Sequence, residues 1–145
     1  MVVLAGTRSD RSVVEELARI ETDKWERQRK EKLHCQMKEL TGKDPREGQV
    51  VALYHLLYGE QDTLFQAATG YGKSMIWQCA PIIGKGIALM ISPLNMLTEE
   101  QVALLPIGSS GIAITSQNNN DRTYAEIAAG KYTHGMSFMH ILQWR

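Results

Sequence analysis

The sequence predicts an α/β fold, a parallel sheet of short strands covered by helices and preceded by one long charged helix. Two observations carry this. After residue 46, short and continuously apolar runs alternate with helical patterns, as they do where strands are buried on both faces. Before it, charge dominates: residues 1–50 hold 21 of the 32 Lys, Arg, Asp and Glu side chains.

The first element is the charged one. Leu17, Ile20, Leu33, Met37 and Leu40 recur at helical spacing through "EELARIETDKWERQRKEKLHCQMKEL", and Ser12 with Glu15 suits a capping box at its start. Pairs such as Glu26 and Lys30 sit four apart, where each contributes about 0.2–0.5 kcal/mol, so this reads as a solvated helix with a narrow apolar stripe. "TGKDP" ends it. "EGQVVALYHLLYG" is then a helix, "TLFQA" a strand and "SMIWQCAPII" a helix, separated by a glycine-rich turn. Next come "GIALMIS" as a strand, "LNMLTEEQVALL" as a helix, "GIAIT" as a strand and "DRTYAEIAAG" as a helix, with "GSSG" and "QNNN" as loops. The domains expected are a helical extension over 1–43, a nucleotide-binding lobe over 44–134 and a divergent tail over 135–145.

Composition narrows the function classes. A chain of 145 residues can bury about 68–70% of its unfolded surface, enough for a core. Sixteen basic and sixteen acidic residues cancel, so no global positive field draws it to nucleic acid or to an anionic membrane, and any such contact is local. The two cysteines, Cys35 and Cys79, have no metal-ligand spacing and read as buried thiols in a reducing compartment. No stretch approaches the roughly 18 apolar residues of a membrane span, so a soluble, intracellular protein is expected. The histidines show no ligand spacing, and Met136 and Met139 look like core.

The chemistry lies in "AATGYGKS", residues 67–74. It meets the phosphate-loop pattern G-x-x-x-x-G-K-[ST] everywhere except the first position, where Ala67 stands for Gly. A strand before such a loop and a helix after it make the anion site from backbone N–H groups and the helix N-terminus. Gly70 and Gly72 supply backbone angles closed to other residues, Lys73 the point charge for the β and γ phosphates, and Ser74 a hydroxyl for Mg²⁺.

These residues resemble the superfamily 2 helicases with DEAD/DEAH boxes, most closely the RecQ-like members, over about residues 40–130. "AATGYGKS" is similar to their motif I, whose A-x-T-G-x-G-K-[ST] form accounts for Ala67; "DPREGQVVAL" is similar to motif 0, and "MISPLNMLTEEQV" to motif Ia. The resemblance implies a partial RecA-like first lobe that binds ATP and Mg²⁺ through Arg46, Gln49, Thr69, Gly70, Tyr71, Gly72, Lys73 and Ser74, with Lys73 as the catalytic residue. Gln49 would read adenine, because a side-chain amide can satisfy the N6 donor and N7 acceptor together. Single-stranded nucleic acid, DNA rather than RNA, would be contacted by Ser92, Asn95, Thr115 and Ser116; the same residues also suit plain loop polars and helix caps. In a eukaryote the resemblance implies the nucleus.

The pattern then breaks. No Asp or Glu follows Glu126, so neither the D-E-x-[DH] motif nor the second lobe's arginine is present, and "KYTHGMSFMHILQWR" looks unrelated to the expected strand, as truncation or a changed frame would make it. ATP binding without appreciable hydrolysis or unwinding, and marginal stability, are therefore expected. Two other readings fit the loop: another phosphate-loop nucleotide-binding class, and a non-enzymatic module whose N-terminal helix docks a partner beside a vestigial site.

Overall fold

The computed structural model describes residues 8–59, 62–92 and 98–138. Its elements are α1 (Arg8–Thr41), α2 (Glu47–Tyr58), α3 (Ser74–Gly84), β1 (Ala88–Ser92), α4 (Thr98–Ala103), β2 (Gly111–Ile114), α5 (Asp121–Ala128) and β3 (His134–Phe138). The three strands form one parallel sheet in the order β1-β3-β2, which is the expected α/β arrangement. Among the described residues no helix is long and apolar enough to cross a membrane.

The apolar stripe of α1 divides. Leu33 and Met37, near its C-terminal end, are fully enclosed and pack with Val50 and Leu53 of α2 and Met75, Cys79 and Ala80 of α3. Val13, Leu17, Ile20 and Trp25, along the earlier turns, stay more than half exposed. The helix already runs through Ser12, so the capping box expected there is not its start. At its end Gly42 takes φ +67, the left-handed geometry that closes helices, and donates its N–H to Lys38 O at 2.8 Å.

Three expectations are corrected. The segment 63–67 is extended but not a strand: it pairs with no strand among the described residues, Leu64 is 93% exposed, and the carbonyls of Ala67 and Ala68 accept from the Lys73 ammonium instead of from a ladder. A parallel strand exists only where a neighbour takes its N–H and C=O groups. Conversely, "HGMSF", which crosses from the expected lobe at His134 into the expected divergent tail from Gly135, is β3, the central strand, with Ala88 opposite His134 on one side and Gly111 opposite it on the other. Cys79 is buried, its thiol pushed up to about 11 by desolvation, but Cys35 is exposed.

Alternation along β3 explains how so polar a segment sits centrally. His134, wholly enclosed, faces α3, where Nε2–H donates to Gln78 O at 3.1 Å and the ring meets the Trp77 ring edge-on at 5.3 Å. Pro81 within α3 has no N–H for the carbonyl of Trp77 four residues earlier, and the imidazole also lies within reach of that carbonyl. On the other face, Gly135 and Ser137 line a small apolar cavity of about 90 Å³ with Leu89, Ile114, Tyr124 and Ile127. Helices thus lie against both faces, α5 covering its side only in part, since Leu89 and Ile91 there stay more than half exposed. Met136 is fully buried, as its sequence context suggests, whereas Met139 lies outside the described residues.

Candidate nucleotide-binding site

The glycine-rich loop lies between the extended segment 62–68 and the first turn of α3. Gly70 and Gly72 have φ +79 and +89, and an added Cβ at Gly70 would meet nothing within 4 Å, so that glycine is required by backbone angle in an open position. Thr69, Gly70, Gly72 and Lys73 are exposed, while Tyr71 and Ser74 are partly buried. Ser74 is the first residue of α3, where backbone N–H groups lack intrahelical acceptors and the helix dipole favours an anion. Lys73 Nζ, folded back, donates to Ala67 O at 2.8 Å and Ala68 O at 2.9 Å.

α2 meets the loop through its N-terminus. Gln49 is 2% exposed, and its Oε1 accepts from Arg46 N–H at 2.7 Å in capping-box geometry. Its Nε2 donates across 23 residues of sequence to Gly72 O at 2.8 Å and to Tyr71 O at 3.2 Å. Both amide hydrogens are therefore engaged, and adenine readout by Gln49 requires one loop carbonyl to be released. Tyr71 itself packs here: the Arg46 guanidinium lies 4.7 Å from its ring centroid and the Phe65 ring 5.7 Å away. Gly48 makes room, since a Cβ there would lie 2.8 Å from the Tyr71 hydroxyl. Sequence reasoning placed Arg46, Gln49 and the loop in one site but missed this aromatic and cationic packing, which no local spacing signals.

A helix that ends shortly before a strand runs back toward that strand's start, so the N-terminus of α3 lies at the C-terminal side of β1. A cleft of about 680 Å³ runs from there along α3, lined by Gly72, Ser74 and Met75, by Gln101 of α4 and Leu104 after it, and by Lys43 after α1. The carboxyl edge of a parallel sheet is where ligands bind in open α/β folds. Ser92 and Thr115 share that edge, at the ends of β1 and β2 with β3 between them. Thr115 is partly committed to its own turn: its N–H donates to Asn118 Oδ1 at 2.7 Å. Ser116 is exposed, and Asn95 lies outside the described residues. The residues present fit an anion and a hydroxyl-held cation: Gly70 leaves open space and Lys73 carries a charge that needs only to swing off its own loop.

No protein-family model matches the chain. Over 80 residues, 55% of its length, it is 30% identical to the bifunctional 3'-5' exonuclease/ATP-dependent helicase WRN of Mus musculus. It is 35% identical over 69 residues, 48% of its length, to the putative ATP-dependent DNA helicase Q1 of Caenorhabditis elegans. To the ATP-dependent DNA helicase Q-like 5 of Arabidopsis thaliana it is 37% identical over 79 residues, 54% of its length. About half of the chain is thus similar to a part of RecQ-type DNA helicases. It spans only 6%, 11% and 9% of those three proteins.

Proposed function

We propose that the chain carries the ATP-binding part of a RecQ-like, ATP-dependent DNA helicase, with a site that binds Mg²⁺-ATP. The observation that carries this is the hydrogen bond from Gln49 to Gly72 O, which joins the two stretches that resemble motif 0 and motif I. Lys73 and the first turn of α3 hold the phosphates, the Ser74 hydroxyl holds the metal, and Arg46 and Gln49 face the base. Single-stranded DNA runs along the carboxyl edge of the sheet at Ser92, Thr115 and Ser116. Phosphoryl transfer rests on positioning and charge, an arginine finger alone contributing about 10³–10⁵ in rate. By themselves these 145 residues hold neither that arginine nor the D-E-x-[DH] carboxylates, so they bind ATP without turning it over.

The test is titration of the folded chain with a fluorescent ATP analogue in Mg²⁺, with GTP as competitor. Saturable binding that prefers adenine, is lost in Lys73→Ala and is weakened in Gln49→Ala is the expected result. Equal competition by GTP would favour another phosphate-loop class. ATP turnover abolished by Lys73→Ala would contradict the claim of binding alone.

A further inference from the structure

We propose that Tyr71 is a specificity-determining residue that stands in for the base. Its ring occupies one face of the exposed Arg46 guanidinium, and a purine that stacks on that face displaces it. This rests on the ATP-binding reading above and adds the step by which the base enters.

The observations are geometric. An arginine beside a base site contributes by placing its guanidinium over a π face, and that of Arg46 already lies over the Tyr71 ring, its Cζ 4.7 Å from the centroid. No base fits between groups so spaced. Tyr71 belongs to the glycine turn rather than to α2, yet its hydroxyl reaches over Gly48, the one residue of the first turn of α2 without a side chain. Its backbone is tied down separately, since Gln49 holds the carbonyls of Tyr71 and Gly72. The ring can therefore leave Arg46 by side-chain rotation while the turn stays anchored through the shorter bond to Gly72 O, even when the Tyr71 carbonyl is released for readout of the base. Phe65, 5.7 Å away on the extended segment, offers a second aromatic neighbour. A purine on Arg46 thus replaces one π face with another, and selection comes from the difference between the two stacks.

The experiment compares the full chain with Tyr71→Ala, Tyr71→Phe, Arg46→Ala and the double variant Arg46→Ala/Tyr71→Ala. Each is titrated with a fluorescent ATP analogue and, by competition, with inorganic tripolyphosphate, and its folding is checked by circular dichroism. Removing the ring is expected to tighten ATP about two- to fivefold, the size of one partly exposed cation–π contact, and to leave tripolyphosphate unchanged. Tyr71→Phe, which keeps the ring, gains less, and on the Arg46→Ala background the gain disappears. Unchanged or weaker ATP binding in Tyr71→Ala overturns the proposal and leaves the ATP site standing, as does equal tightening of tripolyphosphate, which would place the effect in the loop. Folded wild-type and Tyr71→Ala chains that bind neither ligand overturn both. ATP binding by Tyr71→Ala alone supports the displaced-ring reading in its strongest form.

Discussion

Burial disfavours a charged imidazole, and His134, enclosed between β3 and α3, is held below its ordinary 6.5 chiefly by desolvation, against the opposing pull of the Gln78 and Trp77 carbonyls. In the unfolded chain the same ring protonates as the pH falls through 6.5. Within that window the unfolded state binds more protons than the folded one, so stability rises with pH and is lost on acidification toward the folded value. The surface carboxylates act in the same direction but lower down. Glu26, Asp44 and Glu126 are pulled below their ordinary 4.5, 3.8 and 4.5, first by hydrogen bonds from Lys30, Lys38 and Lys131, so their contributions fade only in stronger acid. Urea midpoints measured between pH 7.5 and 5 are expected to fall in the native chain. In His134→Gln, which can still donate to a helix carbonyl without titrating, they should fall less. Equal slopes in both would show that His134 is not the group responsible.

At the scale of elements, the end of α3 stores strain that a substitution can release. Lys85 has φ 55, and among the described residues it is the only non-glycine at positive φ; its N–H and that of Gly86 both close on Pro81 O. A side chain in the left-handed region costs roughly 1–2 kcal/mol, and glycine returns part of that as unfolded-chain entropy. Lys85→Gly should therefore stabilise by about 0.5–1 kcal/mol and raise Tm by roughly 2 °C, with Lys85→Ala unchanged as control. A lower Tm in the glycine variant would mean that its flexibility outweighs the strain. Helices such as α2, α3 and α5 were legible in the sequence because their period and their caps are local properties; Asn120, for instance, accepts from Thr123 N–H at the start of α5. Strands were legible only in part. The run at 63–67 has strand composition but lacks a neighbour, while β3 lacks an apolar run and holds its place by tertiary contacts: His134 on α3, and Gly135 leaving room for Leu89, whose Cδ2 would lie 2.7 Å from a Cβ. The site divides the same way: its loop is a local motif, whereas the Arg46–Tyr71–Phe65 packing spans residues that no periodicity connects.

Across the whole molecule, enclosed apolar surface is unevenly shared. The most continuous core lies where α1, α2 and α3 meet, at Leu33, Met37, Leu53 and Cys79, while the sheet is covered more thinly. β1 is an edge strand, paired with β3 alone in the sheet, and Ile87 just before it and Leu89 and Ile91 within it are 42%, 65% and 54% exposed. An apolar edge whose outer ladder groups pair with no strand among the described residues, and which has no charged side chain between residues 86 and 92, is a template for another strand. Natural edges are commonly blunted by lysine, and here none stands on the strand. Self-association that rises with protein concentration is the expected behaviour of these residues alone, measured by sedimentation velocity across roughly a hundredfold range. Leu89→Lys and Ile91→Lys should each shift the distribution toward monomer. The Lys73→Ala variant, whose change lies in the loop, should associate like the unmodified chain. A wild-type chain that remains monomeric throughout would show that the edge is protected by contacts other than β-pairing, and lysine variants that associate equally would move the interface to the exposed stripe of Val13, Leu17 and Ile20 on α1.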